Sequence, residues 1–248
     1  MQQTNRSRHR HMTSFQVISL GFLSVILLGS LLLMLPIATK SGQCTSFLDA
    51  LFTSTSAVCV TGLVVNDTAT YWSAFGQFVI LLLIQIGGMG VITVAASFAM
   101  ISGRKISLMQ RSTMQEAISA PKVGGIVRLT GFIVRVTLVT ELLCAAVMAP
   151  VFCRDFGKIG LWMALFHSVS AFCNAGFDLL GVRTPFSSLT SYAANPVINF
   201  TIMFLIVFGG IGFLTWDDIR TNRLHLHKYR MQSKVILCTT AVLLIVPA

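Results

Sequence analysis

The chain has 248 residues, of which 54% are hydrophobic and only 10% are charged, and its mean hydropathy is +0.80. Soluble domains average about 25% charged residues, so this composition leaves too little polar surface for a water-exposed globule and predicts a membrane protein. The net charge of +10 does not indicate nucleic-acid binding, because 13 of the 18 Lys and Arg residues fall in three patches, at the N-terminus, in 104–128 and in 220–234.

These basic patches alternate with apolar stretches along the chain. Positively charged loops are retained on the cytoplasmic side of a membrane. The pattern therefore predicts a multi-pass protein of the plasma membrane, embedded in the lipid bilayer, with a cytoplasmic N-terminus and no nucleic-acid partner.

The first half of the chain predicts two long apolar helices with a short one between them. The long helices are expected at about 14–35, ended by Pro36, and at about 78–101. The short helix, at about 45–58, would begin at Thr45 or Ser46 and cover only about 21 Å at 1.5 Å per residue. Since a membrane core is about 30 Å thick, we expect a re-entrant helix. The polar stretch 66–71 predicts a surface loop.

The second half repeats this order. A spanning helix is predicted at about 126–149, ending at Pro150, then a short helix at about 159–172, a loop to about 195 and a spanning helix at 196–216. A charged stretch and the apolar segment 235–246 follow. The predicted units are thus 1–122, 123–234 and the beginning of a third unit at 235–248. Because both complete units start and return on the basic side, they would be parallel repeats.

The duplication is visible in the residues themselves. Residues 50–62 (ALFTSTSAVCVTG) and 164–176 (ALFHSVSAFCNAG) are identical at 8 of 13 positions, at an offset of 114. Residues 78–93 and 200–215 are identical at 8 of 16 positions, at an offset of 122. Repeats define the building unit of a fold, and this unit is a short helix ending near a Gly, followed by a long apolar helix. Such a plan is typical of a pore.

The segments after the two short helices are the candidate ion-binding site. A cation that loses its water needs replacement oxygens, which main-chain carbonyls can supply, and Gly allows the backbone angles that turn successive carbonyls towards one axis. The negative end of each short-helix dipole would point to the same axis. The candidate selectivity-filter residues are Val60, Thr61, Gly62, Asn174, Ala175 and Gly176. The alternative is that Gly62 and Gly176 are ordinary helix C-caps.

Other candidate residues surround these segments. Asp67 and Asp178 could attract cations at an outer mouth or be solvated loop acids. The runs Gly87-Gly88-Met89-Gly90 and Gly209-Gly210-Ile211-Gly212 are expected to allow close helix packing rather than to act as bending points. His167, in the second short helix, is expected to be a hydrogen-bonded structural residue rather than a proton carrier.

Two further features of the sequence bear on chemistry. Glu141 lies at membrane depth, where ionisable residues are functional suspects. The six Cys residues show no metal spacing, and Cys59 and Cys173 occupy equivalent apolar positions. We therefore expect both to be small buried side chains. Neither paired carboxylates nor a nucleophile and base stand out, so an enzyme is not predicted.

Several of these segments resemble a known family. TSAVCVTGLVVNDTATYWSAFGQ, QIGGMGVIT, RKISLMQRSTMQEAIS and HSVSAFCNAGFDLLG are similar to the Trk/Ktr/HKT superfamily of potassium transporters, in particular to its bacterial KtrB-type (NtpJ-like) membrane subunits. The resemblance implies an all-α membrane protein of tandem, parallel helix–pore helix–helix repeats, as in K+ channels. It also implies K+ uptake, with Na+ coupling as an option, a homodimeric membrane part and a cytoplasmic nucleotide-binding regulatory subunit. Its filter glycines map onto Gly62 and Gly176.

The resemblance also defines two competing hypotheses. The family has four such repeats, whereas this chain has two and the start of a third, so we expect an N-terminal part of a longer or split transporter. The first hypothesis is a K+ uptake subunit that acts with its remaining half or with a second copy. The other is a non-transporting half-subunit that serves only in assembly or regulation.

Overall fold

The computed structural model describes residues 13–101, 108–118, 125–223 and 225–246. Within these ranges the regular structure is helical. The α-helices are α1 (Ser14–Leu33), α2 (Phe47–Val58), α3 (Thr68–Tyr71), α4 (Ala74–Met89), α5 (Val91–Ile101), α6 (Leu108–Ile118), α7 (Ile126–Phe156), α8 (Ile159–Phe172), α9 (Pro196–Gly210), α10 (Phe213–Asn222) and α11 (Met231–Ile245). Short 3-10 turns cover Pro36–Ala38, Leu180–Val182, Ser188–Tyr192 and Leu226–Lys228.

The apolar helices have the lengths of a membrane protein. In the described ranges, α1 and α7 are long and apolar enough to cross a bilayer, and the pairs α4–α5 and α9–α10 raise the number to four if each bent pair is one span. α2, α8 and α11 are shorter apolar helices. Six of the basic residues that predict cytoplasmic segments lie outside the described residues: Arg6, Arg8, Arg10, Arg104, Lys105 and Lys122. The last two residues of the predicted third unit, Pro247 and Ala248, also lie outside them.

The two short helices begin and pack as their sequences suggest. Ser46 is the N-cap of α2, and its hydroxyl accepts a 3.1 Å hydrogen bond from the Asp49 amide. Further along α2, the Ser54 hydroxyl donates to the Ile26 carbonyl of α1 at 2.7 Å. Its equivalent in α8, Ser168, donates to the Glu141 carbonyl of α7 at the same distance. The same hydrogen bond therefore attaches each short helix to the long helix before it.

The predicted end of the helix at 126–149 before Pro150 is wrong, because α7 continues to Phe156. Pro removes one helical hydrogen bond and crowds the preceding turn, but helix-packing neighbours allow it inside apolar helices. Here Met148 and Phe152, on either side of Pro150, are completely buried against the rest of the protein. The helix stops instead at Gly157, whose φ of +64° and amide bond to the Cys153 carbonyl end it.

The two other long spans, predicted as continuous helices at 78–101 and 196–216, are each broken. α4 and α5 meet at an angle of 99°, and α9 and α10 at 88°. The breaks fall at Gly90 and Gly212, whose φ values are +83° and +86°. This backbone conformation is open to Gly and strained for other residues. The third glycine of each GGxG run is therefore a bending point, so the expectation of close packing is wrong for Gly90 and Gly212.

Helix α4 lies at the centre of the molecule. It packs against α1 and α2 of the first copy and against α8 of the second. Ile80 and Ile84 of α4 and Phe166 of α8 are fully buried in one continuous core. The two copies therefore form one packed body rather than two separate domains.

The bend at Gly90 gives a test of this fold. Gly90→Ala should lower the free energy of unfolding by about 1–3 kcal/mol, because a β-carbon is strained at this φ although its nearest neighbour, Thr93 Oγ1, would be 3.8 Å away. Gly131→Ala in α7 is the matched control, since nothing lies within 4 Å of the added carbon. It should be neutral or stabilising by about 0.5–1 kcal/mol. Unfolding of the purified variants in detergent would measure both, and equal stability of the two would contradict a required bend.

Candidate functional site

The first short helix ends in a double hydrogen bond. The Thr61 amide donates to the Ser56 carbonyl at 2.9 Å, and the Val60 amide donates to the Ala57 carbonyl at 3.3 Å. This pair of bonds is the Schellman pattern of helix termination, which places one residue in the left-handed region. That residue is Val60, with φ +57°. The Thr61 hydroxyl adds a 2.9 Å bond to the Ser56 hydroxyl.

The second short helix ends in the same way. The Ala175 amide donates to the Ser170 carbonyl at 2.7 Å, and the Asn174 amide donates to the Ala171 carbonyl at 3.0 Å. Asn174 takes the left-handed conformation with φ +58°. The left-handed capping position is therefore occupied by Val60 in one copy and Asn174 in the other, and Gly62 and Gly176 lie two residues beyond it. The alternative in which these glycines are ordinary C-caps does not describe these helix ends.

A left-handed Val is an unusual way to end a helix. Gly is the usual residue at this position, and a β-branched side chain at positive φ is a clear outlier. Such strain costs about 1–3 kcal/mol and is concentrated at functional sites. At the equivalent position, Asn174 tolerates this conformation better. The strain at Val60 indicates that the conformation of the following segment matters more than local stability.

The two candidate filter segments, which we define as residues 59–63 and 173–177, touch each other at their glycines. Gly62 and Gly176 both have φ +75°. A β-carbon added to Gly62 would lie 2.6 Å from the Ala175 carbonyl oxygen and 3.4 Å from the Gly176 Cα. One added to Gly176 would lie 3.6 Å from the Gly62 Cα. The structure thus brings Gly62, Ala175 and Gly176 together, and a side chain at Gly62 has no room.

The remaining candidate residues of the segments differ in exposure between the copies. Thr61, Asn174 and Gly176 are exposed, Val60 is half-buried and Ala175 is buried. Cys59 is exposed, so the expectation that it is buried is wrong, whereas Cys173 is buried and both are free thiols. The difference arises because Gly88 of α4 packs against Cys173, where its β-carbon would lie 2.4 Å from Sγ. No helix in the described ranges covers Cys59 in that way.

The paired glycines of α4 and α9 lie against the ends of the short helices. A β-carbon on Gly87 would be 2.1 Å from the Val58 carbonyl oxygen, and one on Gly209 would be 1.9 Å from the Phe172 carbonyl oxygen. The long helices can approach these carbonyls only because both positions lack a side chain. Close packing, as expected from the sequence, is therefore the role of the first glycines of each run.

Asp67 is not at an open surface, and the predicted surface loop at 66–71 is wrong. Asp67 is buried and caps α3, accepting hydrogen bonds from the Thr70 amide and hydroxyl, both at 2.8 Å. Its other oxygen accepts from the Phe186 amide of the second copy at 3.0 Å. Gly181 lies directly against this carboxylate. Burial alone would raise the pKa of Asp67, but the hydrogen bonds from Phe186 and Thr70 outweigh it and lower that pKa below its usual value.

Asp178 and His167 hold the chain that leaves the second filter segment. The Asp178 carboxylate accepts the Leu180 amide at 2.9 Å. His167 Nδ1 is 2.7 Å from the Met163 carbonyl, and its Nε2 accepts the Leu179 amide at 3.3 Å. Because a carbonyl can only accept, Nδ1 carries the proton and the ring is neutral. This geometry agrees with the hydrogen-bonded structural role expected from the sequence.

Two cross-copy hydrogen bonds were missed by sequence reasoning. Gln77 of α4 accepts the Trp162 indole N–H of α8 at 2.9 Å. Gln85 of α4 donates to the Glu141 carboxyl of α7 at 3.0 Å. Polar side chains inside apolar helices were the available signal, but the sequence does not show which of them are partners.

The comparison with known protein families identifies the class. The sequence model of the cation transport protein family TrkH matches residues 1–241. The chain therefore belongs to the TrkH family of cation transport proteins, and it is a membrane protein.

Three relatives give the nearer context. The chain is 41% identical over 237 residues to the potassium/sodium uptake protein NtpJ of Enterococcus hirae, covering 95% of this chain and 51% of that protein. It is 41% identical over 229 residues to the Ktr system potassium uptake protein B of Bacillus subtilis, covering 92% and 50%. The Vibrio alginolyticus protein of the same name is 37% identical over 233 residues, covering 93% and 50%. The chain thus spans about half the length of these curated relatives.

The buried carboxylate of Asp67 predicts a pH-dependent contribution to stability. A carboxyl whose folded pKa is lowered stabilises the fold above its unfolded pKa of about 3.9 and loses that contribution as pH falls through the folded pKa. Asp67→Asn should therefore lower the free energy of unfolding at pH 7. The difference in this free energy between the variant and the parent should shrink below about pH 4. Asp49→Asn, the same charge change in α2, is the control. Detergent unfolding curves at several pH values would measure this, and a pH-independent difference would contradict it.

Proposed function

We propose that the chain is part of the membrane subunit of a Trk/Ktr-type potassium uptake system, in which the ion passes along the two candidate filter segments. The observation that carries this proposal is the direct contact of Gly62 with Ala175 and Gly176, at the ends of two equivalent short helices. The names of the relatives, which are potassium or potassium/sodium uptake proteins, support the choice of ion.

The chemistry of the segments suits a monovalent cation. Main-chain carbonyl oxygens can replace the hydration shell of K+ without a fixed carboxylate. The C-terminal ends of α2 and α8 both lead into the segments, and each contributes roughly half a negative charge. Since Asp67 is occupied as a cap and contact between the copies, the helix ends and carbonyls would provide the attraction for the cation.

A cavity at the glycine bends of the long helices supports the same pathway. Its volume is about 400 Å³, and it lies between α1, α11 and the glycine bends around Gly90 and Gly212. Gly87 and Gly88, which contact the ends of the two short helices, also line it. We assign this cavity as the space that an ion enters after it leaves the filter.

The orientation, the coupling ion and the regulatory partner are proposed from the basic residues, from the name of one relative and from the family resemblance. A cytoplasmic N-terminus agrees with the distribution of basic residues. Na+ coupling is an option supported by the printed name of the Enterococcus hirae relative. A cytoplasmic nucleotide-binding regulatory subunit is the partner implied by the family resemblance.

The unequal burial of the two copies indicates a further partner. Phe166 and Phe177 of the second copy are 0% and 2% exposed, whereas their equivalents Phe52 and Leu63 are 41% and 62% exposed. Helix α4 covers the second copy, so the first copy needs a helix of the same design. Two filter segments also cannot encircle an ion. We propose that the remaining half of a longer transporter, or a second copy of this chain in a homodimer, supplies the missing helix.

A second candidate function is a half-subunit that acts only in assembly or regulation. It is favoured by the same exposed face and by the coverage of only about half of each relative. Expression of the chain in cells that lack K+ uptake separates the two. Growth at low K+ by the chain alone, or growth with its missing half whose K+/Na+ selectivity changes in Gly62→Ala, supports transport through this chain. Growth with the missing half whose selectivity is insensitive to Gly62→Ala supports the half-subunit.

Gly62 provides the direct test of the filter. Gly62→Ala should lower the K+/Na+ uptake ratio about tenfold, equivalent to about 1.4 kcal/mol, because its β-carbon would meet the Ala175 carbonyl at 2.6 Å. Gly176→Ala should have a smaller effect, since its nearest neighbour would be 3.6 Å away. Gly42→Ala is the control, because Gly42 has a similar φ of +71° but nothing within 4 Å. The ratio would be measured as the uptake of rubidium, in place of K+, and of sodium by cells in which the parent protein restores growth at low K+.

The proposal would be contradicted if Gly62→Ala transported with the selectivity of the parent. It would also be contradicted if the Gly42 and Gly62 variants were equally impaired, since the effect would then come from the backbone angle rather than from the filter.

The exposed Cys59 reports on the missing helix. If a partner covers the first copy in the membrane, maleimide labelling of Cys59 should be slow there and fast in the detergent-solubilised, separated chain. Cys44 and Cys238, which are also exposed, are internal controls. At least one of them should not show the change in labelling rate between membrane and detergent that is expected for Cys59. Labelling resolved by peptide mass would measure each site, and equally fast labelling of Cys59 in both states would argue against the partner.

A further inference from the structure

A polar pair, the buried Glu141 and the half-buried Gln85, joins the two copies behind the second filter segment. Glu141 of α7 is only 2% exposed, and its carboxyl accepts a 3.0 Å hydrogen bond from the Gln85 side chain of α4. Burying such groups in an apolar region is unfavourable unless they are hydrogen-bonded. Glu141 therefore depends on its bond to Gln85.

Gln85 lies one helical turn from Gly88, the residue of α4 that contacts the second filter segment. Gln85 and Gly88 are three residues apart in α4, so they share a helix face. Gly88 packs against Cys173, the residue immediately before Asn174. The Gln85–Glu141 bond and the Gly88–Cys173 contact together determine where α4 meets the end of α8.

The equivalent positions in the duplicated scaffold carry apolar residues instead of this pair. Ser168 donates to the Glu141 carbonyl just as Ser54 donates to the Ile26 carbonyl, both at 2.7 Å. Ile26 therefore occupies the place of Glu141 in the first copy. At the offset of 122, Val207 occupies the place of Gln85. Apolar side chains serve at both equivalent positions, so the helix contacts alone do not explain a carboxyl and an amide here.

We propose that Glu141 is a positioning residue for the second filter segment, acting through Gln85, and that this bond sharpens the selectivity for K+. The inference rests on the proposed function and deepens it. A hydrogen bond has a narrow range of distance and angle, whereas an apolar contact tolerates sliding of one helix along another. The pair thus fixes α4, and with it Gly88, against Cys173.

Four single variants and one double variant test this proposal in the full chain, with uptake measured as for the glycine variants. Glu141→Ile and Gln85→Val copy the equivalent residues and should each lower the K+/Na+ uptake ratio about three- to tenfold. Their combination should be no worse than one change alone, because both remove the same bond. Glu141→Gln should stay within about twofold of the parent, since its amide oxygen can still accept from Gln85. Leu142→Ala, at a neighbouring position that is 59% exposed, is the control and should not change the ratio.

The ratio separates positioning from a purely structural role, which would lower the amount of protein without changing selectivity. An unchanged ratio in Glu141→Ile and Gln85→Val would overturn the proposal, as would a Glu141→Gln variant as impaired as Glu141→Ile.

A second measurement does not depend on transport. Alkylation of Cys173 in the purified chain should be faster in Glu141→Ile than in the parent, and parent-like in Glu141→Gln. Equal rates in all variants would overturn the positioning role. Failure of the proposed function would appear differently, as absence of K+ uptake by the parent even with its missing half.

Discussion

The structure depends on how the two short helices end. In each, two backbone hydrogen bonds close the last turn around a left-handed residue that is not glycine, Val60 in one copy and Asn174 in the other. This closure directs the chain away from the helix axis, and the glycines two residues later meet. Gly87 and Gly209 then allow the long helices to lie against the terminal carbonyls of the short ones. Without these closures, the contact between Gly62 and Gly176 would have no support on either side.

The duplication in the sequence predicted much of this arrangement, since equal residues at a constant offset require equal local structure. It located both short helices and the glycines that follow them. It did not predict that α7 continues through Pro150, because tertiary packing of neighbouring side chains decides whether a helix survives a proline. Nor did it select between packing and bending for the GGxG runs. Gly87 packs and Gly90 bends, and hydrophobic periodicity is the same on both sides of a glycine bend.

Contacts between the copies were beyond sequence reasoning for a different reason. Asp67 follows the first filter segment at the distance expected of a mouth residue, yet its carboxylate caps α3 and binds the Phe186 amide, 119 residues away. The Gln85–Glu141 bond spans 56 residues. A single sequence shows residue types and spacing, but a polar side chain can satisfy itself with any donor that the fold brings near. Membrane-depth Glu141 was therefore recognisable as unusual, while its partner was not.

The two copies also show that exposure depends on neighbours more than on residue type. Phe52 and Phe166 are the same residue at equivalent positions of equivalent helices, yet they are 41% and 0% exposed. Helix α8, which carries Phe166, packs against α4 in addition to α7 and α9, whereas α2, which carries Phe52, packs against α1 and α4. Each unit thus presents a short helix on one side and a covering helix on the other. In the proposed filter, selectivity would depend on the junctions, where a carbonyl from one unit meets a glycine from the next, rather than on either unit alone.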